Sequence, residues 1–249
     1  MDTRAMTTPD TKPEGPADDV GAETLRRMAG LAAYNRWLHD RFDRWLGQRI
    51  LEIGSGIGNQ TQYFADRDRV IASDIDPYYV DILQSRFGTR GNVRMASFRF
   101  PLTEADRDDL RAERIDTIVC LNVLEHIEDH ESTLRDCAAV LPPGGRLVLL
   151  VPALPALYGS LDVHLQHFRR YEKEPLRALL RATGFEADDL RFVNRVAVFG
   201  WWLSSRVLKR KVLPKDQLAV FKVMMPLLKL EEKHPPSFGL SLLALARRV

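Results

Sequence analysis

Apolar runs and chain breakers alternate along this sequence with a regularity that divides it into elements. Helical spacing runs over 23–45, with Leu25, Met28, Leu31, Ala32, Leu38, Phe42 and Trp45 recurring on one side until Gly47 stops it. A strand follows over 49–53, a helix over 60–65, and a second strand over 69–73 that ends against Asp74. Pro77 sits where a helix over 78–87 opens. A short strand is predicted over 93–96. The run over 116–121 is apolar without alternation, as expected of a strand covered on both faces. A helix over 131–141 is stopped by Pro142-Pro143-Gly144-Gly145, and a fifth strand occupies 146–151. Further on, a helix over 176–182 closes at Gly184, and 187–193 and 240–246 read as strands. The stretch between those two strands is mostly helical, with Pro214 and Pro226 as breaks.

Strands and helices alternating at this spacing predict an α/β fold with a parallel sheet built from right-handed crossovers. The expected organisation is one domain over 21–249, carrying a helical elaboration over about 195–237. The segment 1–20 is polar, contains Pro and Asp, has no apolar core of a leader peptide, and reads as a disordered tail.

Composition adds bounds. At 249 residues and 45 % hydrophobic, the chain has enough apolar surface for a sizeable core. A net charge of +2 gives no pull toward nucleic acid, which is not an expected partner. The two cysteines, Cys120 and Cys137, are far apart and show no zinc spacing, so a reducing, cytoplasmic location is expected and no metal ligand set is assigned. No run reaches the roughly 18 apolar residues of a spanning helix. The nearest, Val196-Ala197-Val198-Phe199-Gly200-Trp201-Trp202-Leu203, is cut by Ser204, Ser205 and Arg206 and reads as core, as a homodimer contact, or as a peripheral membrane contact.

The chemistry concentrates at Ile50-Leu51-Glu52-Ile53-Gly54-Ser55-Gly56-Ile57-Gly58-Asn59. A strand ends at three alternating glycines, a loop that turns sharply and lets a bulky ligand lie on its backbone before a helix begins. Such a loop after the first strand of an open sheet holds a nucleotide-like cofactor. A dinucleotide fingerprint needs G-x-G-x-x-G, but the third glycine's place here is Asn59, so an NAD(P)-dependent oxidoreductase is the poorer reading.

Three more blocks accompany this loop: Ala72-Ser73-Asp74-Ile75-Asp76-Pro77, Cys120-Leu121-Asn122-Val123-Leu124-Glu125-His126-Ile127, and Leu141-Pro142-Pro143-Gly144-Gly145-Arg146-Leu147. In this order and spacing the chain, from about Tyr34 to Phe185, resembles the class I S-adenosylmethionine-dependent methyltransferases. The resemblance implies a Rossmann-like, doubly wound, seven-stranded and mostly parallel sheet, its last strand antiparallel, with an N-terminal helix and a helical insertion before the final strand. It implies S-adenosyl-L-methionine as cofactor and S-adenosyl-L-homocysteine as product. Gly54, Ser55, Gly56 and Gly58 would lie under the methionine part, and Glu52 near its ammonium. Asp74 would take both ribose hydroxyls, with Ile75 beside it, because an ionised carboxylate accepts two charge-assisted hydrogen bonds from a vicinal diol. Asp76 reads instead as the N-cap of the helix opening at Pro77. The acid that relatives carry after the third strand for the adenine amino group is here Ser97-Phe98, a departure that makes these two the candidates for the adenine. Leu121 and Asn122 would border the cofactor through their backbone, and Tyr34 would cover its carboxylate.

The acceptor would lie above the ends of the fourth and fifth strands, near Glu125 and His126 and the segment Tyr158-Gly159-Ser160-Leu161-Asp162-Val163-His164-Leu165-Gln166-His167-Phe168-Arg169-Arg170-Tyr171. If that segment is helical, His164, His167 and Tyr171 share a face. His167 is the expected acceptor-side base, with Arg170 and Tyr171 orienting the substrate. A metal held by Asp162, His164 and His167 is not required by methyl transfer. The expectation is a methyltransferase acting on a small or medium-sized organic molecule, on oxygen ahead of nitrogen and carbon. The alternative acceptor is a lipid-linked or glycosylated intermediate, suggested by the aromatic run beside Lys209-Arg210-Lys211.

Overall fold

The computed structural model describes residues 15–16, 19–212, 215–231 and 234–249, with the side chains of Asp19 and of 215–222 left aside. Most of the tail over 1–20, and Pro214, lie outside the described residues.

In chain order the elements are α1 (Asp19–Ala29), α2 (Ala32–Asp40), β1 (Arg49–Ile53), α3 (Thr61–Phe64), β2 (Arg69–Ser73), α4 (Pro77–Phe87), β3 (Val93–Ala96), α5 (Glu104–Ala112), β4 (Thr117–Leu121), α6 (His130–Val140) and β5 (Arg146–Pro152). They continue with α7 (Ser160–His164), α8 (Lys173–Ala182), β6 (Phe185–Val193), α9 (Ala197–Trp202), α10 (Lys215–Leu230) and β7 (Ser241–Arg248). The described residues form a seven-stranded sheet in the order β3-β2-β1-β4-β5-β7-β6. β7 runs antiparallel to both β5 and β6, and the pairings among β1 to β5 are parallel.

Side-chain alternation divides the core into two layers. Leu51, Ile71, Ile118, Leu147 and Leu149 face one way, against Leu110, Leu134, Cys137, Leu176 and Leu180 of α5, α6 and α8. Ile50, Val70, Val119, Val148 and Leu150 face the other way, against Trp37, Leu38, Phe64, Leu83, Phe87 and Leu228 of α2, α3, α4 and α10. Burial on both faces explains why these strands read as unbroken apolar runs rather than as alternating ones. The chain reverses its direction of winding at β1, so the carboxyl ends of β1 and β4 frame the crevice where open α/β sheets bind ligands.

Three expectations need correction. The helix over 23–45 is two helices, because Gly30 and Leu31 close α1 with tight bonds to Arg27 and Met28 before α2 begins. The helix α5 went unread: EADRDDLRA buries only Leu110, too few apolar positions for periodicity to show. Its one sequence signal is Thr103 followed by Asp106, a reciprocal capping pair. Pro226 does not break α10, which continues to Leu230. Pro226 is exposed, where water can replace the hydrogen bond that proline removes.

Among the described residues no helix is long and apolar enough to cross a membrane.

Candidate active site

The first half of the site is backbone. Gly54, Gly56 and Gly58 all adopt left-handed conformations, at φ of 70°, 53° and 78°. A Cβ on Gly54 would lie 2.2 Å from Val123 Cγ2 of the loop after β4, so the strand-end turn tolerates no side chain there. A Cβ on Gly56 would meet Leu25 Cδ1 at 3.0 Å, which shows that α1 lies over the loop. Asn59 Nδ2 donates to the Leu25 carbonyl at 3.1 Å and Gln60 Nε2 to that of Asn35 at 3.2 Å, fastening α1 and α2 to the same place.

Asp74 stands opposite. Its carboxylate accepts from the Gly56 N–H at 2.9 Å and the Asp76 N–H at 3.1 Å, fixing its orientation with acceptor sites to spare. Burial raises its pKa, against which the backbone N–H groups work. Asp76 caps α4, its side chain accepting from the Tyr78 N–H at 2.9 Å. Ile75 is 51 % exposed beside the cleft. Glu52 is buried beneath the loop and accepts a 2.5 Å hydrogen bond from the Thr61 hydroxyl, and burial pushes its pKa up to about 7. Ser55 also lies buried. Asn122 is a non-glycine residue at φ 54°, pinned by its N–H to the Leu150 carbonyl at 2.8 Å, which turns the chain sharply beyond Leu121.

Three candidates from the sequence sit differently from the rest. Phe98 is buried in the first core layer, while Ser97 is exposed. Tyr34 packs on Trp37 with ring centroids 5.5 Å apart, and its hydroxyl engages the Asn194 side chain just beyond β6, the far strand of the sheet. Burial pushes that hydroxyl's pKa up to about 12.

The second half of the site is polar and buried. After α7 the chain leaves the helix, with Gln166 at φ 59°, so the expected shared face of His164, His167 and Tyr171 does not form. His164 turns back to its own helix, Nδ1 lying 2.7 Å from the Ser160 carbonyl. His167 and Arg170 instead converge on Asp162. His167 Nδ1 lies 2.9 Å from Asp162 Oδ1, and Arg170 Nε donates to the same oxygen at 2.8 Å. The other oxygen accepts from the Gly159 N–H at 3.0 Å. Burial alone would raise the pKa of Asp162, but His167 and Arg170 hold it below the usual carboxylate range. An ionised Asp162 makes Nδ1 the protonated nitrogen of a neutral His167 and leaves Nε2 with a lone pair.

That Nε2 lies 4.0 Å from Glu125 Oε1. Glu125 is 1 % exposed, and burial pushes its pKa up to about 8. The exposed His126 meets His167 edge to face, ring centroids 4.7 Å apart. Tyr171 is held beside the end of β5 by a bridge to Ala153, and its hydroxyl lies 3.0 Å from His130 Nδ1. Sequence reading named Glu125 and His126, but missed His130 and the anchoring role of Asp162. The spacing of Asp162 five residues before His167 signals neither in a segment that is only partly helical.

The insertion closes over this cluster. Arg170 Cζ lies 4.7 Å from the Trp201 ring centroid. Ser160 Oγ donates to the carbonyls of Ser205 and Arg210, at 2.9 and 2.7 Å, and Arg206 donates to that of Tyr158 at 2.9 Å.

A family model described as "Methyltransferase domain" matches residues 23–190. A protein of Mycolicibacterium smegmatis named "probable S-adenosylmethionine-dependent methyltransferase" is 30 % identical over 175 residues, 66 % of this chain and 65 % of its own. A ubiquinone biosynthesis O-methyltransferase of Xanthomonas euvesicatoria pv. vesicatoria is 29 % identical over 161 residues, 58 % of this chain and again 65 % of its own length. The crystal structure of a Burkholderia thailandensis 1,6-didemethyltoxoflavin-N1-methyltransferase, with 1,6-didemethyltoxoflavin and S-adenosylhomocysteine bound, superposes with a TM-score of 0.52 at 22 % identity, covering 93 % of this chain and 81 % of that one. The fold is the shared property in that last case.

Proposed function

The chain belongs to the class I S-adenosylmethionine-dependent methyltransferases, and on that premise we propose that it methylates an oxygen of a small or medium-sized organic acceptor. The dinucleotide-dependent oxidoreductase falls away with that membership. The residues at the ends of β1, β2 and β4 fit the cofactor: a glycine cradle that a Cβ would fill, an oriented Asp74 with acceptor capacity left over, and an exposed Ile75 beside it. In this reading Gly54, Ser55, Gly56 and Gly58 lie under the methionine part, Glu52 balances its ammonium, Asp74 takes the ribose hydroxyls, and Leu121 and Asn122 border it by backbone. The cofactor supplies an electrophilic methyl group on a sulfonium.

Everything else falls to the chain's own side chains. They hold the acceptor in line with that methyl group and exclude water, an alignment that contributes on the order of 7–11 kcal/mol in the best intramolecular cases. An acceptor hydroxyl must also lose its proton. The observation that carries the choice of oxygen is the Asp162–His167 contact, 2.9 Å long, which presents the Nε2 lone pair to the cluster after β4. His167 takes the proton there, a role worth typically 10²- to 10⁴-fold in rate. Arg170 and Tyr171 hold the segment in place, through Asp162 and Ala153 and through His130 respectively. The name of the Xanthomonas relative also supports oxygen over nitrogen.

The test is calorimetry with S-adenosylmethionine and with NAD, followed by methyl transfer from labelled cofactor to a panel of phenols, alcohols and amines. Binding of S-adenosylmethionine alone, with label passing to hydroxyl acceptors, is the expected result. Label passing only to amines would remove His167 as a base.

A second reading, in which the acceptor is lipid-linked, is favoured by one surface. Phe199, Trp202, Val207 and Leu208 are exposed on and just after α9, next to Lys209, Arg210 and Lys211.

A further inference from the structure

Glu125 poses an unsolved electrostatic problem. Its carboxylate is 1 % exposed, yet among the described residues Oε2 has no hydrogen-bond partner. As an anion a carboxyl group left in that state is costly, so it either keeps its proton or is bound to a cation. Arg170 supplies coulombic support but no hydrogen bond to Glu125, its Nε going to Asp162 and its Nη1 to the Ala153 carbonyl.

Two other donors face the same spot. His167 is fixed by Asp162 with Nδ1 protonated, so Nε2 offers a lone pair 4.0 Å from Glu125 Oε1. That gap is too long for a hydrogen bond. An ion bonded to both at about 2.0–2.2 Å spans that gap only at an angle wider than tetrahedral, so binding draws the two groups together by several tenths of an ångström. His126, on the exposed side, completes a set whose ligand atoms lie within 4.8 Å of one another. A carboxylate behind a ligating histidine is the usual support that fixes such a ring and raises its basicity.

We propose that Glu125, His126 and His167 bind one divalent first-row transition ion, with an open coordination position on the side of the acceptor. Two imidazoles and a carboxylate suit zinc or iron(II) better than magnesium or calcium. The geometry of three protein ligands with one face open is that of a reactive ion rather than a structural one. Its consequence for chemistry rests on the methyl-transfer reading. An acceptor hydroxyl in the open position would lose its proton to water under the ion's field, and the resulting oxygen anion would form an O–C bond to the cofactor's methyl carbon as its C–S bond breaks, with S-adenosyl-L-homocysteine leaving as the neutral thioether. His167 is then a ligand, whereas in the ion-free enzyme it takes the proton itself.

The test measures binding without cofactor or acceptor. The full chain is stripped with a chelator and titrated with cobalt(II), following visible absorption and calorimetric heat. The expected result is one ion per chain with the intense bands of a four- or five-coordinate site, and a fall in affinity of about tenfold or more in His126→Ala and in Glu125→Gln. His126 is exposed, so its variant is expected to fold, and far-ultraviolet circular dichroism with S-adenosylmethionine binding checks both variants. Absence of saturable cobalt binding in the natural chain would overturn the proposal, as would unchanged affinity in two folded variants. A chain that binds cobalt but methylates nothing would sink only the function proposed above; one that methylates but binds no ion would sink only this site.

Discussion

Asp162 and Arg170 form a buried ion pair, Oδ1 to Nε at 2.8 Å, and the same oxygen anchors His167. The carboxylate therefore both neutralises a buried guanidinium and sets the tautomer of the ring beside it. Replacing it with an isosteric amide leaves Arg170 a buried cation without its hydrogen-bonded counter-charge. Removing one partner of such a pair costs on the order of 3–5 kcal/mol. Asp162→Asn is expected to lower the denaturant midpoint by a corresponding amount at unchanged slope. A variant as stable as the natural chain would mean that Arg170 finds its charge balance elsewhere.

His167→Ala separates the two halves of the site. The ring lies after β5 and touches none of the cofactor candidates at the ends of β1 and β2, so cofactor affinity should stay within about twofold. Turnover with a hydroxyl acceptor should drop by roughly 10²-fold or more. Single-turnover assays on chelator-treated enzyme give the cleanest reading, and an unaltered rate would take His167 out of the chemistry.

Asp74 and Asp76 make a matched pair for the cofactor side. Hydrogen bonds to a charged group contribute about 1.5–3 kcal/mol each, so Asp74→Ala is expected to weaken S-adenosylmethionine binding by at least about tenfold. Asp76→Ala removes the cap of α4 instead, which costs about 1 kcal/mol of stability with little change in affinity. Calorimetry and thermal unfolding on both variants should show the two effects on opposite residues; the reverse assignment would move the ribose contact to Asp76.

Much of this was legible before any coordinates. The strands β1 to β5 could be read because burial on both faces makes them compact apolar runs, and the glycine loop because three left-handed turns in five residues tolerate little else. The place of Asp74 at the end of β2 was legible as the first acid after such a run, while its ribose role came from the family resemblance. The acceptor side was only half legible. His167 and Arg170 were named, but on the premise of a helical face, and Gln166 breaks that helix. What gathers them is Asp162, buried without exposure in the middle of a five-residue helix, and nothing in a local pattern announces a carboxylate that accepts from three directions. Tyr34 shows the same limit in reverse: its helix was readable, but its partner Asn194 lies across the sheet.

The exposed aromatic surface around α9 makes a prediction for the lipid-linked reading. The rings of Phe199 and Trp202 meet at a tilt with centroids 5.8 Å apart, with Phe199 68 % exposed and basic residues following at 209–211. Flotation with vesicles containing anionic lipid should carry the natural chain upward at low salt and should lose it in Phe199→Ser/Trp202→Ser. Salt should weaken the effect, because the basic residues act through a screened field. Equal recovery with neutral and anionic vesicles, or none with either, would leave a water-soluble acceptor as the reading.

Glu52 gives the pH dependence with a definite sign. Its pKa rises on folding from 4.5 to about 7, chiefly through burial and against the hydrogen bond from Thr61. The folded state therefore prefers the protonated acid, and its contribution to stability is fully present below the unfolded value. That contribution is lost progressively as pH climbs from about 4.5 to about 7, because the unfolded chain releases the proton first. A cofactor ammonium near Glu52 would reverse the preference by favouring the carboxylate. The gain in melting temperature on adding S-adenosylmethionine should consequently grow as pH passes through about 7 and level off above it. In Glu52→Gln both dependences should flatten, with apo stability no longer falling across this window and cofactor affinity weaker at high pH. Thermal unfolding of both proteins, with and without cofactor, at half-unit pH steps decides the matter: a cofactor-induced shift that ignores pH in the natural chain would place the ammonium away from Glu52.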